Sequence, residues 1–391
     1  MRVLTKALGA LLALLILATA AFFLFAPAYV ESQRNAVIPH APYPVSTEAR
    51  ALHDSLIVGD WHADPLLWKR DLAERGNRGQ VDIPRLIEGG VAVQVFTAVT
   101  KSPAGQNYEE NSAEAFDNIT LLAVGQLWPM RTWTSIYERA IYQAEKLHRF
   151  ERQLAGQLRI IKSRADLDAV LTARAEGGDI VGGILGVEGL HPLEGDFAKL
   201  DGLYDAGHRL FGLHHFFDNE LGGSLHGTGD AGLTEFGLQV VAELARRPVI
   251  IDLAHSSPQV VREVLEMTDV PLVLSHSGLH SHCEVTRNLP DDLMRQIAET
   301  GGVIGMGYWA DVVCGPITPD GIAEMIAAAI AVVGEDHVSL GSDFDGSVET
   351  AFDTSELPAL THALLAQGLS EAQIAKVMGG NMIRVLRARL D

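Results

Sequence analysis

Histidine and carboxylate side chains stand at the ends of short apolar segments along much of this chain. Imidazole and carboxylate groups are common protein ligands of zinc and similar divalent ions. Residues i and i+2 of an extended segment point to the same side, so His62 and Asp64 can reach one ion. The full set exceeds the three protein ligands of a typical open catalytic zinc site and predicts two divalent ions bridged by a carboxylate. In chain order its members are His62, Asp64, Glu188, His214, His215, His255, His276 and Asp343.

The apolar segments predict the elements that must position these side chains. They are rich in β-branched residues and do not alternate with polar ones, a pattern typical of strands buried on both faces. Helical stretches lie between most of them, with start signals at Ser163, Thr318 and Ser370. The alternation predicts an α/β protein, a (β/α)8 TIM barrel. The predicted strands cover residues 56–62, 91–97, 180–188, 209–214, 249–255, 272–276, 303–308 and 338–343.

A barrel would also explain the chemistry, because the carboxyl ends of its strands converge on one face, where active sites form. A single histidine at a strand end is more often structural than metal-binding. The metal prediction therefore depends on the number of such positions. Six of the eight predicted strands end in a side chain that can bind metal, which is too many to expect by chance. The longest interval, residues 98–179, predicts an insertion at the mouth, with a helix within residues 129–160.

The N-terminal residues form a separate unit. Residues 7–26 contain no charged side chain, and Arg2 and Lys6 precede them. Twenty apolar residues suffice to span a bilayer as a helix, and positive charges before them predict that the rest of the chain is exported.

Small residues at 18–20 and 26–28 also fit signal-peptide cleavage, so residues 1–30 are predicted to be a signal anchor or a signal peptide. Residues 31–50, rich in proline, serine and polar groups, are predicted to be a linker. The metal-dependent domain then covers residues 51–391.

Composition excludes several classes of protein. Apolar residues make up 47% of the 391 residues, which excludes a disordered chain. The formal net charge of −20 argues against binding to nucleic acid, because a phosphate backbone requires a basic surface. Two cysteines are too few for a multi-cysteine zinc site, so a metal site must use histidine and carboxylate.

The ordered motifs resemble those of the membrane dipeptidase family (renal dipeptidase, peptidase M19) of the amidohydrolase superfamily. The resemblance extends from about residue 50 to residue 390. The matching motifs are Asp60-Trp61-His62-Ala63-Asp64, Gly186-Val187-Glu188-Gly189, Gly232-Leu233-Thr234-Glu235-Phe236-Gly237, Ile251-Asp252-Leu253-Ala254-His255-Ser256-Ser257, Ser275-His276-Ser277, Thr286-Arg287-Asn288-Leu289-Pro290-Asp291-Asp292, Gly341-Ser342-Asp343-Phe344-Asp345-Gly346 and Gly379-Gly380-Asn381.

The resemblance implies a hydrolase that cleaves dipeptides with two zinc ions. It implies that His62 and Asp64 bind the first zinc, that His255 and His276 bind the second, and that Glu188 bridges both. A hydroxide shared by the two ions would attack the peptide carbonyl.

The resemblance also implies roles for residues around the metals. Asp343 would transfer the proton, and His214 would bind the substrate and polarise its carbonyl. Arg287 would bind the terminal carboxylate of the substrate, assisted by Asn288. Family members often accept a D-residue at the C-terminal position of the dipeptide.

Three further expectations concern the cysteines, the oligomeric state and the location. Cys283 and Cys314 would form a disulfide, which persists in an exported protein; the alternative is two buried free thiols. A homodimer is implied, although the sequence has no direct signal for one. The N-terminal segment, and not the resemblance, predicts that the protein lies on the periplasmic or extracellular side of a membrane, anchored by its N-terminal helix.

Two other functions fit the same residues. One is hydrolysis of an ester, lactone or phosphotriester with the same metals, and the other is a non-catalytic, exported metal-binding protein. The run Thr286–Asp292 with its arginine favours dipeptides over the first alternative. Asp343 argues against the second, because binding alone does not require a residue that transfers protons.

Overall fold

The computed structural model describes residues 2–229 and 231–391 and has a closed, parallel β-barrel at its centre. The strand order is β2-β1-β9-β8-β7-β6-β5-β4, and β4 pairs with β2 to close the ring. The predicted (β/α)8 barrel is therefore confirmed. The strands described are β1 Val58–Ala63, β2 Val91–Val99, β3 Leu158–Ile160, β4 Val181–Glu188, β5 His208–Gly212, β6 Ile250–Asp252, β7 Val273–Ser277, β8 Val303–Met306 and β9 Val338–Leu340.

Strand β3 is additional to the predicted set. It pairs with the first residues of β4, with Leu158 opposite Val181, whereas β5 pairs with β4 from Leu185 onward. Because β2 occupies the other edge of β4, β3 and β5 share one edge in succession. Three residues with an exposed centre give no run long enough to be predicted from the sequence.

Helices surround the barrel and begin where side-chain caps are available. Ser163, Thr318 and Ser370 each accept a hydrogen bond from a backbone N–H in the first turn, as predicted. The helices are α1 Arg2–Arg34, α2 Thr47–Ser55, α3 Ile83–Glu88, α4 Asn118–Gly125, α5 Ile136–Gln153, α6 Arg164–Ala175, α7 Lys199–Asp205, α8 Glu235–Arg246, α9 Pro258–Met267, α10 Asp291–Glu299, α11 Ala310–Val313, α12 Pro319–Val333, α13 Leu357–Ala366, α14 Glu371–Ala375 and α15 Asn381–Arg389.

Helix α15 closes the amino-terminal end of the barrel. Its Met382 and Leu386 belong to one buried apolar cluster with Trp61, Ile184 and Leu210 of the strands. Burial of these side chains supplies much of the free energy that holds α15 in place. The opposite end, where the strands finish, is the end available for a site.

The insertion between β2 and β4 contains α4, α5, β3 and α6, so the predicted inserted helix is confirmed. It is fastened to the end of β2. The buried Arg139 of α5 donates to the carbonyl of Thr100 (2.8 Å), and Gln143 donates to the carbonyl of Val99 (2.8 Å). The insertion is therefore held at the end of the barrel where the strands finish.

In the described part of the chain, α1 is the helix that is long and apolar enough to cross a membrane. Length and composition alone support this, and a signal sequence has the same character. The residues after α1 run to the Ser46 cap of α2 and contact the barrel, since Ile38 donates to the carbonyl of Thr350 (2.8 Å).

A disulfide joins Cys283 to Cys314, with the Cα atoms 5.3 Å apart. The implied pairing is confirmed. It connects the loop after β7, which carries Arg287, to the end of α11.

Candidate active site

The strand-end side chains meet around the carboxylate of Glu188, at the end of β4. Its Oε1 lies 3.4 Å from Nε2 of His62, 3.3 Å from Nε2 of His255 and 3.4 Å from Nε2 of His276. Its Oε2 lies 3.3 Å from Nε2 of His215. All five side chains are buried. Residues separated by more than 200 positions in the sequence thus share one carboxylate.

The two members of the His-x-Asp motif lie together, as predicted. His62 Nε2 is 3.5 Å from Asp64 Oδ2, and His62 lies in β1 with Asp64 directly after it. The hydroxyl of Thr97 in β2 donates to Asp64 Oδ1 at 2.5 Å and fixes that carboxylate. The extended backbone and the neighbouring strand therefore direct both groups to Glu188.

The tautomer of His276 follows from its neighbours. The hydroxyl of Ser275 donates to Asp252 Oδ2 at 2.6 Å, so its oxygen can only accept from Nδ1 of His276, 2.8 Å away. Nδ1 then carries the proton, and the lone pair of Nε2 points towards Glu188. Imidazole ligands of metals are commonly oriented by such an outer hydrogen bond. Asp252 and Ser275 lie within the motifs Ile251–Ser257 and Ser275–Ser277, but their residue types alone do not mark them as supports of the site.

Two side chains of the site depend on unusual backbone geometry. His255 and Asp343 have φ angles of +61° and +58°, a left-handed conformation that non-glycine residues rarely adopt. Asp343 Oδ1 lies 3.9 Å from His62 Nε2, and its backbone N–H donates to the His62 carbonyl (3.2 Å). Strained residues of this kind persist where the surrounding structure holds them, and they concentrate at functional sites.

The structure places His215, and not His214, among the side chains around Glu188. Neighbouring residues of the chain after β5 point in different directions. Nδ1 of His214 lies 3.1 Å from the hydroxyl of Ser256, and burial lowers the pKa of His214 to about 3. His215 donates from Nδ1 to the carbonyl of Lys101 (3.2 Å), which leaves Nε2 facing Glu188. The sequence presented both histidines side by side and gave no signal to separate them.

Arg287 is a buried cation with unused donors. Its Nη2 donates to the carbonyl of His276 at 2.8 Å, whereas Nε and Nη1 have no hydrogen-bond partner among the described residues. A buried donor without a partner is costly, so this guanidinium is suited to an anionic ligand. Asn288 is different: its amide oxygen accepts from Gly278 (2.7 Å) and its nitrogen donates to the carbonyl of Cys283 (2.9 Å). Asn288 therefore holds the loop that carries Arg287.

The converging side chains line one cavity at the mouth of the barrel. Tyr108 and Phe216 contribute to its wall, and the Tyr108 hydroxyl accepts from the indole N–H of Trp309 (2.9 Å). Its polar lining includes Asp64, Glu188, His215, His255, Arg287 and Asp343.

Burial sets the electrostatics of this cavity. It raises the pKa of Glu188 well above the usual range, and it raises the pKa of Asp343 to about 8. Burial lowers the pKa of His255 and that of His276. At His62, burial favours the neutral form, but the Glu188 and Asp64 carboxylates outweigh it and raise the pKa to about 10. Several carboxyl groups are thus crowded together away from water, and added cations would stabilise their charged forms.

The donor set fits divalent metal ions. Three groups of these residues bring ligand atoms within 4.8 Å of one another: His62-Asp64-Glu188, Glu188-His215-His255 and His62-His276-Asp343. Zinc binds nitrogen and oxygen at about 2.0–2.2 Å in a tetrahedron, which separates two ligand atoms by about 3.4 Å. Oε1 of Glu188 lies 3.3–3.4 Å from the Nε2 atoms of His62, His255 and His276, which is close to that spacing, whereas Nε2 of His255 and Nε2 of His276 are 3.0 Å apart.

A (β/α)8 barrel with imidazoles and carboxylates at the ends of its strands is the architecture of a metal-dependent barrel hydrolase. The match to known proteins is more specific. The chain belongs to the membrane dipeptidase family, peptidase family M19, whose model matches residues 46–390. The family is one of metallo-dipeptidases, in agreement with the resemblance seen in the motifs.

Individual relatives agree with this assignment. An uncharacterized dipeptidase of Schizosaccharomyces pombe is 29% identical over 326 residues, covering 80% of this chain and 73% of that protein. Dipeptidase aclJ of Aspergillus oryzae is 28% identical, and the match covers 84% of this chain and 76% of that protein. Among solved structures, a metallopeptidase of Rhodobacter sphaeroides is 26% identical with a TM-score of 0.69, and the match covers 85% of this chain and 99% of that one. That structure is liganded with a phosphinate mimic of the dipeptide L-Ala-D-Ala.

Some of the contacts that hold the site in place involve residues that precede residues 46–390, the range matched by the family model. Glu31, near the end of α1, is buried and forms ion pairs with Arg70 and with Arg78 (2.7 Å). Arg70 in turn pairs with Asp345, two residues after Asp343. The end of α1 is therefore linked through Arg70 to the loop that carries Asp343, one of the candidate catalytic carboxylates.

The same loop contains further strained residues. Asp345 and Ser347 have φ angles of +65° and +67°, and Asn35 accepts from the backbone N–H of Ser347 at 2.9 Å. The end of α1 thus contacts the loop that carries Asp343.

We expect Glu31→Gln to disturb this loop, because it removes one charge from a buried ion-pair network. Loss of one partner of a buried pair typically lowers the free energy of unfolding by about 3–5 kcal/mol. Displacement of Asp343 should lower kcat for dipeptide hydrolysis by about 10- to 100-fold and change KM less. Thermal unfolding and steady-state kinetics of the full chain in detergent measure both effects. Glu74→Gln, at an exposed carboxylate, is the control; a folded Glu31→Gln protein with the kcat of that control would contradict the expectation.

Proposed function

We propose that this protein is a zinc-dependent dipeptidase that hydrolyses the peptide bond of dipeptides, including those with a D-residue at the C-terminal position. The observation that carries the proposal is one cavity with a carboxylate shared by several imidazoles and a buried guanidinium with unused donors. The family supports the reaction. The relative liganded with an L-Ala-D-Ala mimic supports the stereochemistry.

His62, Asp64 and Glu188 would hold the first zinc, and Glu188, His255 and His276 would hold the second. Bound there, zinc ions polarise a carbonyl group and lower the pKa of water. Glu188, which belongs to both ligand sets, would offset the repulsion between two bound cations with its negative charge. Ser275, through its hydrogen bond to Nδ1, keeps the lone pair of His276 available.

Asp343 would accept the proton of the attacking water and deliver it to the amine that leaves. Such a residue works best when its pKa lies near the working pH. Burial raises the pKa of Asp343 to about 8 when no metal is bound, and cations held by the neighbouring ligands would lower it again. The left-handed backbone at this position directs the carboxylate into the cavity.

Arg287 would bind the free carboxylate of the dipeptide with the donors that have no protein partner. The role that the sequence assigned to His214 passes in this proposal to His215. Nε2 of His215 faces the cavity, where it would contact the peptide group of the substrate. Asn288 would act indirectly, because its amide is occupied in holding the Arg287 loop.

We also propose that α1 anchors the protein in a membrane with the barrel on the exported side. Its uncharged run covers residues 7–26, and Lys6 precedes it. Cations before the span favour retention of that end in the cytoplasm. An exported location agrees with the disulfide, which would not persist in a reducing compartment.

The central test is a dipeptide hydrolysis assay on the purified full chain. Removal of metal by a chelator should abolish hydrolysis of L-L and L-D dipeptides, and added Zn²⁺ should restore it, because the buried carboxylates need cations. Tripeptides and simple esters serve as comparison substrates. Hydrolysis that is indifferent to the chelator would refute the metal proposal, and faster turnover of esters than of any dipeptide would refute the substrate class.

Asp343→Asn should keep the bound metal and lose most turnover, since the amide cannot take up the proton. General acid–base groups contribute about 10²- to 10⁴-fold, so we expect kcat to fall within that range. Metal content by elemental analysis and kcat are the measurements. Asp269→Asn, at an exposed position before β7, is the matched control. Near-normal kcat with two bound metals would rule out the proton role.

Arg287→Lys should raise KM for free dipeptides on the order of 10- to 100-fold, the effect of losing a hydrogen bond to a charged group. Dipeptides amidated at the C-terminus lack the carboxylate and should show the same KM with both proteins. A comparison of KM for the two substrate series measures this. An equal rise in both series would show that Arg287 does not recognise the carboxylate.

A further inference from the structure

Exposed apolar side chains concentrate on one part of the insertion. Phe116, Leu121, Leu127 and Met130 expose 57%, 62%, 57% and 75% of their surface. Among the described residues after α1, only a few other large apolar side chains are so exposed, and these are scattered over the barrel. A concentrated apolar surface on a folded protein indicates a contact with a membrane or another molecule. We call residues 116–130 the apolar patch.

Helix α4, within the apolar patch, lacks the polar outer face of an ordinary surface helix. Ile119 and Ala123 are buried against the protein, yet Leu121 on the outer side is also apolar. No residue of Asn118–Gly125 is charged. Its two polar side chains, Asn118 and Thr120, lie in the first turn, so the rest of its outer side is apolar.

The apolar patch carries little net charge, although the chain has a formal charge of −20. Its one ionisable side chain is Asp117, whose carboxylate accepts from Arg139 at 2.5 Å and from the backbone N–H of Ile119 at 3.0 Å. The charge of Asp117 is thus satisfied by partners within the protein. Contact with hydrocarbon would therefore not require an unpaired charge to leave water.

The position of α4 along α1 indicates what covers the apolar patch. A groove of about 510 Å³ separates the two helices, lined by Phe22, Ala26 and Val30 of α1 and by Leu121 and Leu122 of α4. The uncharged run of α1 ends at Ala26, after 20 residues, which span about 30 Å as a helix, the thickness of a bilayer core. Helix α4 therefore lies level with the boundary of the bilayer that α1 would cross.

We propose that the apolar patch lies in the surface of the same bilayer and docks the barrel on it. The proposal rests on the anchor role of α1 given above. Docking would also orient the site, because the groove and the active-site cavity share Leu67, Ser102, Gln106, Ile119 and Ser347 in their walls. The entrance to the cavity then opens beside the lipid surface.

Single labelled cysteines on the full chain in liposomes test this. Both native cysteines are in the disulfide, so an introduced cysteine is the reactive thiol for a fluorescent probe. The test positions are Leu121→Cys and Met130→Cys. The control is Leu238→Cys, 41% exposed on α8, which precedes β6 on the side of the barrel opposite β1. Leu14→Cys, within the uncharged run of α1, reports on the anchor itself.

Labels at Leu121 and Met130 should be quenched by lipid-attached nitroxides at least about threefold more than the Leu238 label, and shielded from a water-soluble quencher. Retained dipeptide hydrolysis shows that each labelled protein is folded. If lipid-attached nitroxides quench the label at position 14 but the labels at positions 121 and 130 behave like the label at position 238, docking is refuted and the anchor proposal stands. If Leu14 is not quenched by lipid, both proposals fall. Shielding of Leu121 and Met130 from both quenchers would mean that a protein covers the apolar patch, which overturns docking in lipid.

Discussion

The crowding of buried carboxylates at one end of the barrel is the constraint on which the rest of this structure depends. Glu188, Asp64 and Asp343 are buried at one mouth of the barrel, and Arg287 is the buried guanidinium beside them. Isolated carboxylates in such a place would take up protons, as the raised pKa of Asp343 and of Glu188 indicates. Divalent cations remove that cost and keep the imidazoles neutral as ligands. The family and the spacing of the ligand atoms agree with this solution.

The fold meets the constraint by fixing several of the candidate ligands from outside. Thr97 holds Asp64, and Ser275 with Asp252 sets the tautomer of His276. Asp60 accepts from the backbone N–H groups of His62 (2.9 Å) and Ser342 (3.1 Å) and so ties β1 to the end of β9. These contacts involve neighbouring strands, which a closed barrel holds in register. Rigid placement matters because a ligand atom displaced by a fraction of an ångström no longer fits a zinc tetrahedron.

The sequence predicts the barrel and the convergence of the strand ends. Buried strands have a recognisable composition, and the carboxyl ends of the strands in a barrel lie on one face. Sequence reasoning assigned the substrate-binding role to His214, whereas the structure places His215 beside Glu188. A shift of one residue at a strand end reverses which side chain faces the site. Sequence reasoning also could not identify the contacts of Glu31 and Asn35, which depend on tertiary structure and precede the family match. Asn288 was predicted to assist substrate binding, but its amide proved to be occupied by backbone groups. Such distinctions depend on packing rather than on residue type.

The proposed reaction also accounts for how an acidic protein can take a small substrate. A dipeptide is a zwitterion, so a chain with a formal charge of −20 neither attracts nor repels it strongly as a whole. Fields from exposed charges are largely screened beyond about 8 Å at physiological salt, so discrimination falls to groups inside the cavity. There Arg287 offers a fixed positive charge for the carboxylate end. A longer peptide would place a neutral amide at that guanidinium and leave it unpaired, so desolvation of this one group favours dipeptides over longer chains.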